Sequence, residues 1–312
     1  MRKAFVETLC RLAAGDDRIV LLTADLGYMA LEPFRDRFPR RFFNVGVAEQ
    51  NMIGVATGLA EAGFLPYAYS IAPFAALRPF EFIRNGPVLH GLPVRIVGMG
   101  MGFEYGFSGA THYALEDVAA LRTLPGLTIV IPATSSQAAA ALSATCHLRG
   151  PVYYSLGKDD RICMPGLDDR FELGKIEVTR RGDDVALVTM GSVGQEVASA
   201  AEKLAERGVE AAVIVVSSFH PDPVDDLAEA LSRFRLAVSV EAQSVAGGLG
   251  SFVAMVIASR ALPCRLRILA VGASPDGTSG SQLDRWRKHG LDSESIVRNV
   301  LEAIHDQPPA EI

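Results

Sequence analysis

The stretch Arg41-Phe42-Phe43-Asn44-Val45-Gly46-Val47-Ala48-Glu49-Gln50-Asn51-Met52-Ile53-Gly54-Val55-Ala56-Thr57-Gly58-Leu59-Ala60 decides how the chain is read. Phe42 to Val45 is a short apolar run that suits a strand. Gly46 breaks it. From Glu49 to Glu61 small and apolar residues recur at helical spacing until Gly63 stops them. Glu49 heads an otherwise apolar helix. By itself a glutamate there favours the positive end of a helix, and most glutamates are solvated. The string around Glu49 is what singles it out.

Outward from this stretch, strand and helix alternate. An amphipathic first helix carries Phe5, Leu9 and Leu12 on one face. Strand runs follow at 18–24, 65–69, 94–97, 128–131 and 152–155. Helices are expected at 74–84, kinked or restarted at Pro79, at 115–121, and over the Ala-rich 136–148. The stretch 158–174 is rich in Asp, Gly and Pro and has no period, so it reads as a linker. Beyond it the alternation resumes, with strands at 185–189, 212–216, 236–240 and 267–271. Helices there are expected at 195–207, 225–232, 250–259 and 293–304. The polar, Pro-rich tail from Asp306 reads as frayed. The expected fold class is α/β, with two domains, 1–158 and 176–312, joined by a linker at 159–175. Each domain is a mainly parallel sheet flanked by helices.

Composition agrees. The chain has 312 residues, 49% of them hydrophobic and 21% charged, enough for about two domains and a large core. Its mean hydropathy of +0.22 is high, yet no apolar run approaches the ~18 residues of a membrane span. Strands buried on both faces account for it. A net charge of −6 argues against a basic nucleic-acid surface. Cys10, Cys146, Cys163 and Cys264 are scattered, with no metal-ligand spacing, and read as reduced thiols. Glu7 and Arg11 interrupt what would be a signal sequence after Met1-Arg2-Lys3. A soluble cytoplasmic protein is the expectation, with neither membrane nor nucleic acid as partner.

Common nucleotide and hydrolase signatures are weak or missing. Gly98-Met99-Gly100-Met101-Gly102 and Gly247-Gly248-Leu249-Gly250 both fail the dinucleotide fingerprint. There is no Walker A sequence and no Gly-x-Ser-x-Gly elbow. His112 lies in an irregular loop past a strand end, where α/β sheets bind ligands; a partly exposed structural histidine is the alternative.

The opening string resembles the pyrimidine-binding domain of transketolase and its thiamine diphosphate relatives, whose pattern there is Phe-Asn-x-Gly-(Ile/Val)-Ala-Glu-Gln-(Asn/His)-Met. The resemblance extends along the chain. Thr23-Ala24-Asp25-Leu26 is similar to the family's segment at the first strand end. Gly109-Ala110-Thr111-His112 with Ala114-Leu115-Glu116-Asp117 is similar to its Gly-(Ala/Pro)-(Ser/Thr)-His and Leu-Glu-Asp segments. Gly247-Gly248-Leu249-Gly250-Ser251 is similar to part of its C-terminal domain.

The resemblance implies roles. Glu49 is the carboxyl that hydrogen-bonds the cofactor's pyrimidine N1′ and drives the tautomerisation that frees the thiazolium C2 proton; it needs a dry pocket. Phe74, with Ile71 where the family has a second phenylalanine, forms the platform for the pyrimidine, and Asp25 lies on the cofactor side. His112 donates to a developing oxyanion. Gly100 stands where transketolases have a histidine and Ser108 where they have an aspartate. Lys158 falls near their phosphate-gripping arginine, able to bind an anion as a point charge. The loss of the histidine and the aspartate argues against an ordinary phosphorylated sugar and points to a specialised ketol substrate.

The family's Gly-Asp-Gly domain, which binds the diphosphate through Mg²⁺, has no counterpart here; Gly182-Asp183-Asp184 matches a C-terminal-domain turn. No metal ligand is therefore assigned to this chain. The resemblance implies the C-terminal subunit of a split transketolase, a transferase active with an N-terminal, diphosphate-binding partner. The expected assembly is α2β2, with a homodimer of this chain inside it and Mg²⁺ held mainly by the partner. The alternatives are a 2-oxo acid dehydrogenase β subunit, whose first motif is Glu-Asp-Val-Gly where this chain has Ala24-Asp25-Leu26-Gly27, and a non-catalytic paralogue.

Overall fold

The structure, a computed structural model, describes residues 1–272 and 277–306. Its strands in chain order are β1 (Ile19–Thr23), β2 (Phe42–Asn44), β3 (Leu65–Ile71), β4 (Arg95–Met99), β5 (Thr128–Val130), β6 (Val152–Leu156), β7 (Ile176–Arg180), β8 (Val185–Thr189), β9 (Ala211–Val216), β10 (Ser218–Phe219), β11 (Leu236–Ser244) and β12 (Arg265–Val271). They form two sheets. A seven-stranded sheet has the order β10-β5-β6-β4-β3-β1-β2, and a five-stranded sheet the order β12-β11-β8-β9-β7. All pairings are parallel except β10 with β5 and β7 with β9. The α/β class and the two mainly parallel sheets are those expected from the alternation.

The strands β1, β3, β4, β6, β8 and β9 are buried at every residue. Parallel sheets covered by helices on both faces require this, and it explains the high hydropathy. Even Arg95 in β4 is fully buried. Its guanidinium donates to the carbonyls of Cys146, Leu148 and Gly150 beyond the helix Ser135–Thr145, which offsets the cost of burying it.

The register brings one set of strand ends to one edge. Thr23 pairs with Asn44 and with Tyr69, Ile71 pairs with Met99, and Met99 pairs with Leu156. The strand ends at that edge and the segments leaving it carry every candidate site residue of the first half. On that side the second half packs closely. The Tyr113 hydroxyl donates to the Thr278 carbonyl at 2.8 Å. Arg122 donates to the Gly247 and Gly248 carbonyls and lies over the rings of Phe219 and Phe252. The edge strand β10 comes from beyond the aperiodic stretch and pairs with β5.

The helix expected at 74–84 with a restart at Pro79 forms as two, Ala72–Ala76 and Phe80–Ile83. Pro79 has no N–H to continue the first helix, so the chain turns through Leu77 and Arg78. The aperiodic stretch from 158 to 174 holds no helix or strand, yet Ile162, Met164 and Leu167 are buried. The tail beyond Asp306 that the sequence reads as frayed lies outside the described residues.

Packing at the functional edge leaves no slack. A Cβ on Gly98 of β4 would lie 2.3 Å from the Tyr153 hydroxyl. That hydroxyl is pinned by a 2.6 Å hydrogen bond to the buried Asp117 carboxylate, so the ring cannot swing aside. Gly98→Ala is expected to destabilise the chain by about 1–3 kcal/mol, read from the shift of its chemical denaturation midpoint. An unchanged midpoint would contradict this packing.

Candidate active site

The asparagine and glycine of the opening string set the local path of the chain. Asn44, at the end of β2, accepts from the backbone N–H of Asp25 and of Gly46, and its amide donates to the Asp25 carboxylate at 2.8 Å. Gly46 takes a positive φ of 73°, which glycine adopts without strain. The chain thereby turns and begins the helix Glu49–Glu61 at the strand edge.

Glu49 is the first residue of that helix and is 2% exposed. Its Oε1 accepts from the Ser70 hydroxyl, fully buried on β3, at 3.0 Å. Its Oε2 accepts from Arg78 Nη1 at 3.0 Å. Both oxygens of a dry carboxylate are thus met, one by a neutral donor and one by a cation.

From Glu49 a row of rings and charges runs along the edge. The Arg78 guanidinium lies 4.1 Å from the Phe74 ring centroid. The His112 ring meets Phe74 in a T-shaped contact, with centroids 5.0 Å apart. Tyr105 follows at 6.2 Å from His112, and Lys158 Nζ sits 4.1 Å over the Tyr105 ring. The His112 Nδ1 hydrogen-bonds the Thr111 hydroxyl at 2.9 Å, which leaves the other ring nitrogen for a partner. Four candidates from the sequence, Glu49, Phe74, His112 and Lys158, are therefore brought into one row.

The other candidates stand beside it. Ile71 closes β3, is 8% exposed, and precedes the helix that bears Phe74. Ser108 is exposed in a short 3-10 turn. Asp25, at a positive φ of 55°, is tied to Asn44 and to the Tyr28 hydroxyl. Those two hydrogen bonds, Asn44 first, hold its carboxyl below the usual carboxylate range.

Three contributors escape a reading of the sequence. Arg78 is hidden because the ion pair joins residues far apart in the chain. Tyr105 fills the place of a side chain at position 100: a Cβ on Gly100 would lie 2.2 Å from its ring. Glu104 braces Lys158, accepting from its backbone N–H while its own carbonyl receives Nζ at 3.4 Å. The Glu104 carboxyl is enclosed between the two halves, and burial pushes it up to about 7 despite the Lys158 N–H and the Ser192 hydroxyl. Burial also lowers Lys158, and the Glu104 charge opposes that shift. Among the described residues no three His, Cys, Asp or Glu side chains are grouped to hold a metal ion.

Known proteins share this arrangement of domains. Residues 1–160 match the family model for the transketolase pyrimidine binding domain, and 174–296 match the transketolase C-terminal domain. The chain is 31% identical over 287 residues to a subunit of the apulose-4-phosphate transketolase of Actinobacillus succinogenes, covering 92% of each. It is 35% identical over 304 residues to the 6-deoxy-6-sulfo-D-fructose transketolase subunit SqwH of a Clostridium species, covering 97% of this chain and 94% of that one. Among solved structures it resembles a split gene transketolase described as an inactive β4 tetramer. That match has a TM-score of 0.86 at 35% identity and covers 97% of both chains.

The raised Glu104 has a consequence for stability. Its ordinary value is 4.5 and its folded value about 7, so between those limits the folded chain keeps a proton that the unfolded chain has released. Stability from this group is present below pH ~4.5 and is lost as pH rises through ~7. Relative to Glu104→Gln, the wild type should lose about 2–3 kcal/mol between about pH 5 and pH 8, measured by denaturant titration at each pH. Parallel pH profiles for the two proteins would contradict the assignment.

Proposed function

This chain belongs to the transketolase family, and from that premise we propose that it is the β subunit of a two-component, thiamine diphosphate-dependent transketolase. Its role is to supply the pyrimidine-binding half of the active site for transfer of a two-carbon ketol unit. The observation that carries the proposal is the Glu49 carboxylate, dry and held by Ser70, beside the Phe74 ring on the edge that also bears His112.

The residues present fit the cofactor. When bound, thiamine diphosphate supplies a nucleophilic carbon, C2 of its thiazolium ring, to the ketose carbonyl. Glu49 holds a hydrogen bond, and with it a proton, at the pyrimidine N1′ atom; exclusion of water keeps that exchange local. Phe74 would offer a ring face to the pyrimidine, and Ile71 an apolar wall in place of a second ring. Asp25, through Asn44, steadies the loop that delivers Glu49. His112 donates a hydrogen bond to a substrate oxygen as negative charge grows on it.

The substrate end of the row favours an anionic sugar. Lys158 provides a point charge braced by Glu104, and Ser108 an exposed hydroxyl. The two relatives are named for a sugar phosphate and a sulfonated sugar, which supports the same chemistry here. Both are named as subunits, and the solved β4 tetramer is described as inactive. This supports a requirement for a diphosphate-binding partner that holds Mg²⁺, in an α2β2 assembly built on a homodimer of this chain. A cytoplasmic location is part of the proposal, supported by four free cysteines. No described helix is long and apolar enough to cross a membrane.

The test is reconstitution. The chain mixed with its partner subunit, thiamine diphosphate and Mg²⁺ should transfer ketol units from a panel of phosphorylated and sulfonated ketoses, and each subunit alone should not. Glu49→Gln should lower turnover by about two to four orders of magnitude; near wild-type turnover would overturn the role of Glu49. Lys158→Ala should raise KM for anionic donors about tenfold or more while changing kcat less. Equal KM values in steady-state assays would remove Lys158 from substrate binding.

A further inference from the structure

Arg78 is the contact at Glu49 that the proposed function does not use. It lies on the turn between the helices Ala72–Ala76 and Phe80–Ile83, so its side chain is not locked within a helix. Among the described residues Glu49 is its ion-pair partner, at 3.0 Å, and Phe74 is the ring beneath its guanidinium, at 4.1 Å. The Arg78 side chain is 48% exposed, whereas that of Glu49 is 2% exposed.

A guanidinium is flat, donates hydrogen bonds within its plane and stacks on aromatic faces. An aminopyrimidine that carries a proton at N1′, read by Glu49 and laid on Phe74, has the same three properties. Arg78 and the pyrimidine therefore need the same carboxylate oxygen and the same ring face. We propose that Arg78 is a latch over the pyrimidine cradle, a positioning residue that the cofactor must displace before it docks. The inference rests on the functional reading above.

The exchange is physically balanced. A buried carboxylate without a partner is costly; Arg78 meets that need until the ring docks together with one proton from solvent, which is shared between Glu49 and N1′ in place of the guanidinium charge, while the ring takes over the stacking. The displaced guanidinium is already half in water, so it leaves without a large loss of hydration. While the latch is closed, the cofactor's apparent affinity is reduced by the fraction of chains that are open.

The test uses the assembled complex of this chain with its partner subunit. Thiamine diphosphate with Mg²⁺ is titrated, and its association followed by stopped-flow protein fluorescence, for wild type, Arg78→Ala and Arg78→Lys. Arg78→Ala is expected to bind about tenfold tighter, mainly through faster association. Arg78→Lys should fall between the two, because lysine keeps the charge and loses the flat stacking. Should Arg78→Ala fail to fold, Arg78→Lys makes the same comparison with wild type. If wild type binds and the variants bind with equal or weaker affinity, the latch is wrong and the functional reading stands. If neither wild type nor variants bind thiamine diphosphate in the complex, both fall.

Discussion

A carboxylate removed from water must be given donors, and most of what distinguishes this fold serves that need at Glu49. The helix it heads begins at a strand edge because Asn44 and Gly46 turn the chain there. β3 delivers Ser70 to one oxygen, and the break before Pro79 frees Arg78 to reach the other. A buried ion is weak support for stability, since desolvation offsets much of the attraction. Its retention here is what the proposed role requires: the same dryness that makes Glu49 costly to bury would make it effective against a ring nitrogen.

The parallel sheet does the gathering. Strands that run the same way bring their C-terminal ends to one edge, and the segments that leave it place Glu49, Phe74, His112 and Lys158 in a row. α/β sheets bind ligands at such edges for this reason. The second half of the chain buttresses it. Glycines permit the approach: a Cβ on Gly102 would lie 2.9 Å from the Ala242 carbonyl, and one on Gly106 would lie 2.3 Å from that of Gly280. Enclosure between the halves also raises Glu104, which in turn braces Lys158.

Much of this is legible in the sequence, for identifiable reasons. Buried parallel strands read as continuous apolar runs, so β1, β6, β8 and β9 are expected close to their observed limits. The helix Glu49–Glu61 is placed by its period and by Gly63. Glu49, Phe74 and His112 stand out because their neighbours form recognisable strings. β10 does not, because two residues, Ser218 and Phe219, show no period and owe their conformation to pairing with β5. The capped helix Gln282–Lys288 is also missed, although Ser281 and Asp284 form its capping box. Arg78 and Tyr105 are invisible for a different reason. Their roles depend on which residues they meet across space, and nothing in their local spacing records it.

In the proposed function Glu49 activates a cofactor shared with a partner subunit. The most direct measurement is the rate at which the thiazolium C2 proton of bound thiamine diphosphate exchanges with deuterium in the assembled complex, followed by acid quench and NMR. This reads the step assigned to Glu49 without requiring the sugar substrate. Exchange in the wild-type complex that is far faster than for the free cofactor, and that falls by about two orders of magnitude or more in Glu49→Gln, is the predicted result. Equal exchange rates in the two complexes, both containing bound cofactor, would contradict the account.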